Sequence, residues 1–242
     1  MITDNGPIRG RLGIWLWNSL RRVVLLRSSL YLLIETKRGL LDSAQSNQRL
    51  VNIAYRKPDP WGDNTEIGRE YFARAVAMLD AERNGAGFGA ALDIGCAEGA
   101  FTEMLASRCR SVLGVDLSPV AISRATNRKA WGSTVRFQTF DLRSKPIPGQ
   151  FDLIVASGVL EYFNGPLVLL RARANLIEGL KPGGYLQIGT TRANPAIENS
   201  WWGRCLNRGS WINMFIARHP ALEIVSNHCA ISYQLTLYRK SC

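Results

Sequence analysis

The chain has 242 residues, 46% hydrophobic and 20% charged, with a formal net charge of +11. That balance suits a folded domain with a sizeable core and excludes a disordered or collagen-like chain. Five cysteines (Cys96, Cys109, Cys205, Cys229, Cys242), odd in number and without CxxC spacing, argue against a disulfide framework or a zinc site and for free thiols in a reducing, cytoplasmic compartment.

Residues 1–60 hold ten Lys/Arg and four Asp/Glu (+6), and residues 61–242 hold twenty and fifteen (+5). A basic excess of this kind serves solubility, nucleic acid, an anionic membrane or an acidic substrate. Within the first segment, residues 13–41 (GIWLWNSLRRVVLLRSSLYLLIETKRGLL) place Asn18, Arg21, Arg22, Ser28, Ser29, Glu35 and Thr36 close to helical spacing, which gives a wide apolar face and a narrow polar stripe. Arg21, Arg22 and Arg27 interrupt the window of roughly 18 uncharged residues that a bilayer span needs. The same arginines spoil a signal peptide. Two readings remain open. The helix packs on the domain or on a second copy of the chain, making a homo-oligomer. Alternatively, it lies at a membrane surface, with Trp15 and Trp17 as anchors. The chain is therefore divided into residues 1–60, a basic amphipathic helical extension with a lid loop, and residues 61–242, one catalytic-sized domain.

The loop YRKPDPWGDNTE (55–66) precedes a helix expected near 66–82, with Ile67, Tyr71, Phe72, Ala75 and Leu79 on one side. The glycines of NGAGFGA (84–90) come before a strand, so they read as a connector. Strands are then expected at 90–95, 111–116, 134–140, 151–157, 184–190, 222–228 and 232–239, alternating with helices near 98–108, 119–130 and 165–180. Such alternation predicts an α/β fold: a doubly wound, mostly parallel, seven-stranded Rossmann-like sheet. The last two strands are too close for a crossover helix and form an antiparallel hairpin at the sheet edge.

In open parallel sheets ligands sit beyond the carboxyl ends of the strands. The first strand ends in Asp93-Ile94-Gly95-Cys96-Ala97-Glu98-Gly99. Gly95 there allows a tight turn and close ligand approach, and Gly99 lets the helix start against the strand. The second strand ends in Asp116, about twenty residues after the turn, where a carboxylate suits a ribose diol. Ala97 in place of the middle glycine of G-x-G-x-x-G, and a carboxylate beside the turn, argue against a dinucleotide pyrophosphate. Both suit a nucleoside that carries positive charge. Each acid also has a plainer reading: a helix-capping carboxylate for Asp93, turn-forming residues for Asp116 and Asp141.

In order and at typical separations, LDIGCAEG, VLGVDLS, FQTFDL, FDLIVASGVLEYF and LKPGGYLQIG make residues 88–190 resemble a class I S-adenosylmethionine-dependent methyltransferase. The resemblance implies S-adenosyl-L-methionine as cofactor. It puts Asp93, Gly95 and Ala97 by the methionine part, with Gly99 closing the turn, Asp116 on the ribose and Leu117 beside the adenine. Asp141 would meet the adenine amino group, Leu142 would lend its backbone, and Ser157 would line the floor. Ala97 departs from the family's usual glycine. DPWG followed by EIGREYFARAVAML is also similar to the nodulation-factor N-methyltransferase group, which acts on small molecules such as amino sugars.

Glu161, just past the fourth strand, is the first candidate for a catalytic base, although it also reads as a helix-start carboxylate. Tyr162 orients an acceptor or packs. Residues 55–61, with Tyr55 and Trp61, are placed to act as a lid. The segment 190–220, with Trp201, Trp202 and Trp211 among arginines, shapes an acceptor pocket or forms a packing helix. His219 and His228, the only histidines, fall near the closing hairpin, and no metal-ligand cluster is expected. The leading function is methyl transfer to N or O of a small molecule. RNA methylation and a non-catalytic cofactor-fold module are the alternatives. ASGVLEYF lacks the Asn/Asp-Pro-Pro-Tyr/Phe element used on the exocyclic amines of nucleic acids, and so argues against the first of these.

Overall fold

A computed structural model describes residues 51–163, 165–192 and 208–241. The expected helix over 13–41 and the tryptophans Trp201 and Trp202 lie outside the described residues. After a helical turn at 51–54, the elements run α1 (Glu66–Arg83), β1 (Phe88–Ile94), α2 (Ala100–Ala106), β2 (Cys109–Asp116), α3 (Pro119–Asn127), β3 (Val135–Thr139), β4 (Phe151–Ser157), a 3-10 turn (Leu160–Tyr162), α4 (Pro166–Glu178), β5 (Leu180–Thr191), α5 (Arg208–Ala217), β6 (Leu222–Cys229) and β7 (Tyr233–Lys240).

The strands form one sheet in the order β3-β2-β1-β4-β5-β7-β6. Five are parallel, and β7 runs antiparallel to both β5 and β6. Helices cover both faces, so the central strands are apolar runs buried on each side. Side chains alternate across the strand. Leu92 and Ile94 of β1 join Ile154, Leu186, Ile188, Leu176 and Ile212 on the α4/α5 face. Ala91 joins Leu153, Val155, Phe72, Leu79, Phe101 and Leu105 on the α1/α2 face. Burying each large side chain contributes roughly 1.5–3 kcal/mol. The strand order reverses between β1 and β4, which puts the crevice beyond their carboxyl ends.

Local chemistry sets the boundaries. Thr65 caps α1 by accepting from the Gly68 N–H at 3.2 Å, and Asn84 ends it in the left-handed region at φ 47°. Ser118 and Pro119 start α3 in the same manner. Two details differ from the expectation. Ile67 is 78% exposed; it lies in the first turn of α1, at the mouth of the crevice, where no element of the described residues covers it. β5 begins four residues early, because Leu180 pairs with Phe151 before an irregularity over Lys181–Gly184 lets Tyr185 pair with Leu153. Of the two readings for 190–220, the packing helix holds over Arg208–Ala217, where α5 packs on β5 through the buried residues Ile212 and Ile216.

Candidate active site

The turn after β1 contains three positive φ angles: 73° at Gly95, 48° at Ala97 and 84° at Gly99. It is tied to the end of β2, whose Val115 carbonyl accepts from the Gly95 and Cys96 N–H groups at 2.8 and 3.0 Å. Gly95 makes room for protein: a Cβ there would fall 2.9 Å from Val159 Cβ, in the segment after β4. Gly99 lets α2 start close in, since a Cβ would meet Phe137 at 3.2 Å and Ala125 at 3.4 Å. Ala97 holds a conformation that costs an alanine roughly 1–2 kcal/mol. Its methyl group packs in a cluster with Tyr55 and Ala121.

The acids sit in different settings. Asp93 is 2% exposed beneath the turn, on the α2 side, where the Thr102 hydroxyl donates to it at 2.6 Å. Burial pushes its pKa up to about 7 against the lowering effect of that bond. It is not among the residues that line the cavity. Asp116 accepts from the Ala97 N–H at 3.1 Å with one oxygen and from the Ser118 N–H at 2.8 Å with the other. Burial raises its pKa, with the amides partly offsetting. Asp141 is gripped by Arg143, Nε at 2.8 Å and Nη2 at 3.2 Å. Burial works to raise its pKa, but the guanidinium overrides it and holds the carboxyl below the usual range.

These residues face a cavity of about 840 Å³, within the roughly 300–1,000 Å³ of small-molecule sites. The structure brings together on its wall Gly95, Ala97, Asp116, Leu117, Asp141, Leu142, Ser157, Glu161 and Tyr162. Asp93 and Gly99 stand behind it. The Leu142 carbonyl accepts from Asn175 at 2.9 Å, so its outer face is already in use. Ser157 Oγ is buried on the cavity floor beside the Tyr71 hydroxyl.

At the other end, Glu161 Oε1 accepts from the Thr191 N–H at 2.6 Å and the Thr191 hydroxyl at 2.7 Å, which fixes its orientation at the tip of β5. Tyr162 is 53% exposed and stands 5.5 Å from Trp61, ring to ring. Trp61 Nε1 donates to the buried Tyr55 hydroxyl at 3.1 Å, and burial pushes the Tyr55 phenol well up. The expected lid residues thus join the 3-10 turn to the β1 turn. Arg124 clasps this strap, donating to the Tyr55 carbonyl at 2.8 Å, the Lys57 carbonyl at 3.0 Å and Glu98 at 2.8 Å.

Sequence reasoning missed Asp63, Tyr71, Arg143, Thr191 and Tyr233, all on the cavity wall. Arg143 was within reach, two residues after Asp141. Tyr71 was placed with the core face of α1, and nothing in its spacing tells a core ring from a wall ring. Of the segment 190–220, Trp211 stacks on Phe215 at 5.3 Å and packs against the α4/α5-face core. Among the described residues no His/Cys/Asp/Glu group has the arrangement of a metal site, and no helix is long and apolar enough to cross a membrane.

Residues 43–232 match the family model described as Nodulation protein S (NodS). Nodulation protein S of Bradyrhizobium diazoefficiens is 32% identical over 183 residues, 76% of this chain and 84% of that protein. A ubiquinone biosynthesis O-methyltransferase of Pseudomonas aeruginosa is 34% identical over 118 residues, 47% of this chain and 49% of that one. Among solved structures, the N-methyltransferase NodS from Bradyrhizobium japonicum WM9 in complex with S-adenosyl-L-homocysteine is 27% identical. It covers 80% of this chain and 97% of that one, with a TM-score of 0.64. The cavity agrees with such a cofactor: a braced carboxylate at the end of β2 and a volume of small-molecule size. The chain belongs to the NodS family and is an S-adenosylmethionine-dependent methyltransferase acting on a small molecule.

Proposed function

We propose that the chain transfers the methyl group to a nitrogen of its small-molecule acceptor. The observation that supports this reading is a cavity that runs from Asp116 to Glu161, with the Glu161 carboxylate held in place by Thr191 at its far end. By sequence, nodulation protein S is matched over 84% of its length and the O-methyltransferase over 49%. These relatives favour small-molecule transfer over the RNA and non-catalytic readings.

When bound, S-adenosylmethionine supplies a methyl group on an already activated leaving group, so the protein's task is alignment and exclusion of water. Alignment contributes several kcal/mol, up to roughly 7–11 in favourable cases. Asp116 takes the ribose hydroxyls, and Leu117, Asp141 and Leu142 flank the adenine. Gly95 and Ala97 border the methionine chain, with Asp93 and Gly99 supporting the turn from behind. Ser157 forms the floor between donor and acceptor. Glu161, steadied by Thr191, receives the proton that an ammonium acceptor must lose. Tyr162 and Trp61 cover the acceptor and keep water out.

The test is incubation with methyl-labelled cofactor and fractionated extract, followed by mass spectrometry of the labelled product. An N-methylamine supports the proposal; a methyl ether or labelled RNA refutes it. The basic segment 13–41 adds contact with an anionic membrane surface or a second copy of the chain. Flotation with anionic liposomes, comparing the full chain and one lacking residues 1–45, separates these two, since only membrane contact makes partitioning depend on the segment.

A further inference from the structure

Asp63 has no part in the roles assigned above. It lines the cavity, and its own N–H and that of Asn64 are bonded to the two Asp59 carboxylate oxygens at 2.8 and 3.0 Å. Among the described residues, every other charged side chain on the cavity wall is engaged. Arg143 holds Asp141, backbone amides hold Asp116, and Thr191 holds Glu161. Among the described residues no hydrogen bond or ion pair reaches the Asp63 carboxylate.

Its surroundings make that isolation costly. Asp59, Glu98 and Asp116 lie near enough to repel it, and Arg128 is the cation that opposes them. Burial first, then these like charges, push its pKa up to about 6. A partly buried carboxylate among others of its sign is stabilised by a cation brought in from solution.

Geometry selects which cation. The Asp59–Asp63 loop is pinned to the turn after β1 through Glu98, and the charge of Asp63 is felt there at Cys96, Asp93, Asp116 and Tyr55, and also at Tyr71 of α1. The acceptor side, where the reacting sulfonium must face, is built by Glu161 and Tyr162 beyond β4. The strap also fixes where Asp63 stands. The Asp59 N–H donates to Glu98 Oε1 at 3.1 Å, and Glu98 is held by Arg124. We propose that Asp63 is the counter-ion of the α-ammonium group of S-adenosylmethionine, anchoring the amino-acid end of the donor beside the β1 turn. This rests on the donor occupying the cavity as assigned above.

Three probes separate the outcomes by calorimetry: S-adenosylmethionine, S-adenosylhomocysteine and methylthioadenosine. The first two carry the ammonium; the third lacks the amino-acid chain. Asp63→Asn is expected to weaken the first two by about tenfold to a hundredfold and the third by less than twofold. In the unaltered protein, affinity for the first two is expected to fall as pH drops through about 6, as Asp63 gains a proton, and the variant is expected to lose that dependence. Asp93 titrates near this range too, but is retained in the variant.

Equal affinities in both proteins overturn the proposal. So does an equal loss for methylthioadenosine, which marks Asp63 as a mere support of the strap. A loss confined to S-adenosylmethionine assigns the sulfonium instead and overturns it as well. Failure of the unaltered protein to bind any of the three sinks the donor assignment itself, a result distinct from these.

Discussion

Gly189 offers the sharpest test of how the cavity floor is packed. It sits in β5 between Ser157 of β4 and Leu235 of β7, so its backbone is held from both sides. A methyl group added there would land on the Tyr71 hydroxyl, with Tyr71 Cζ at 3.1 Å and Ser157 Oγ at 3.2 Å. Tyr71 has little room to retreat, since its ring packs edge-on against Tyr233 at 4.9 Å and Phe72 at 5.4 Å. Overpacking of this kind costs about 1–3 kcal/mol, so Gly189→Ala is expected to lower the melting temperature by about 2–12 °C. Tyr71→Phe removes the oxygen that the methyl meets, and leaves the milder contacts with the ring carbon and Ser157 Oγ. The double variant should therefore recover about 1 kcal/mol or more relative to the sum of the singles. Urea denaturation of the four proteins gives this coupling directly. A cost below about 0.5 kcal/mol for Gly189→Ala, or strict additivity in the cycle, refutes the reasoning.

Asp93 gives a pH prediction. Its pKa is raised in the folded state to about 7 from 3.8, so its stabilising effect is complete below the unfolded value and is lost as pH rises towards 7. The full swing is on the order of 4 kcal/mol. Asp93→Asn, which keeps an acceptor for Thr102, should flatten the fall in urea midpoint between pH 5 and pH 8; an unchanged fall refutes it. Asp116→Ala should weaken S-adenosylmethionine binding by about a hundredfold in calorimetry while the circular dichroism spectrum stays folded, and unaltered affinity rules out the ribose role. Glu161→Gln should lower turnover of the acceptor by about 10²–10⁴ without changing donor affinity. A fall in donor affinity instead would show that Glu161 serves the cofactor.

Much of this architecture is written in local pattern. The runs ALDI and FDLIVAS are apolar on both sides because β1 and β4 are covered on both faces, and their boundaries follow from Gly95 and Gly158. Asp116 was legible because its place, at the end of a strand twenty residues after a glycine turn, is itself a pattern. Elsewhere the determinant was tertiary. The apolar residues of α5 do not fall in one stripe, because it packs against β5, β6, β7 and the 3-10 turn, so spacing left the packing helix and the acceptor wall both open. Asp63 lies in a loop rich in Asp, Pro and Gly, where a turn-forming aspartate is the ordinary case; its distinction comes from folding against the β1 turn. Ile67 fitted the apolar side of α1, but whether that side is covered depends on the crevice.

Strand β7 follows β6 in the chain yet lies between β6 and β5. During vectorial synthesis β6 therefore leaves the ribosome with no strand to join, and β5 waits with one open edge. Thr190 and Thr191, which close the acceptor end, pair with Gln234 and Tyr233, among the first residues of that late strand. The acceptor end of the sheet is therefore completed by the last strand to be made, and the exposed edges in the interval call for protection against misassembly.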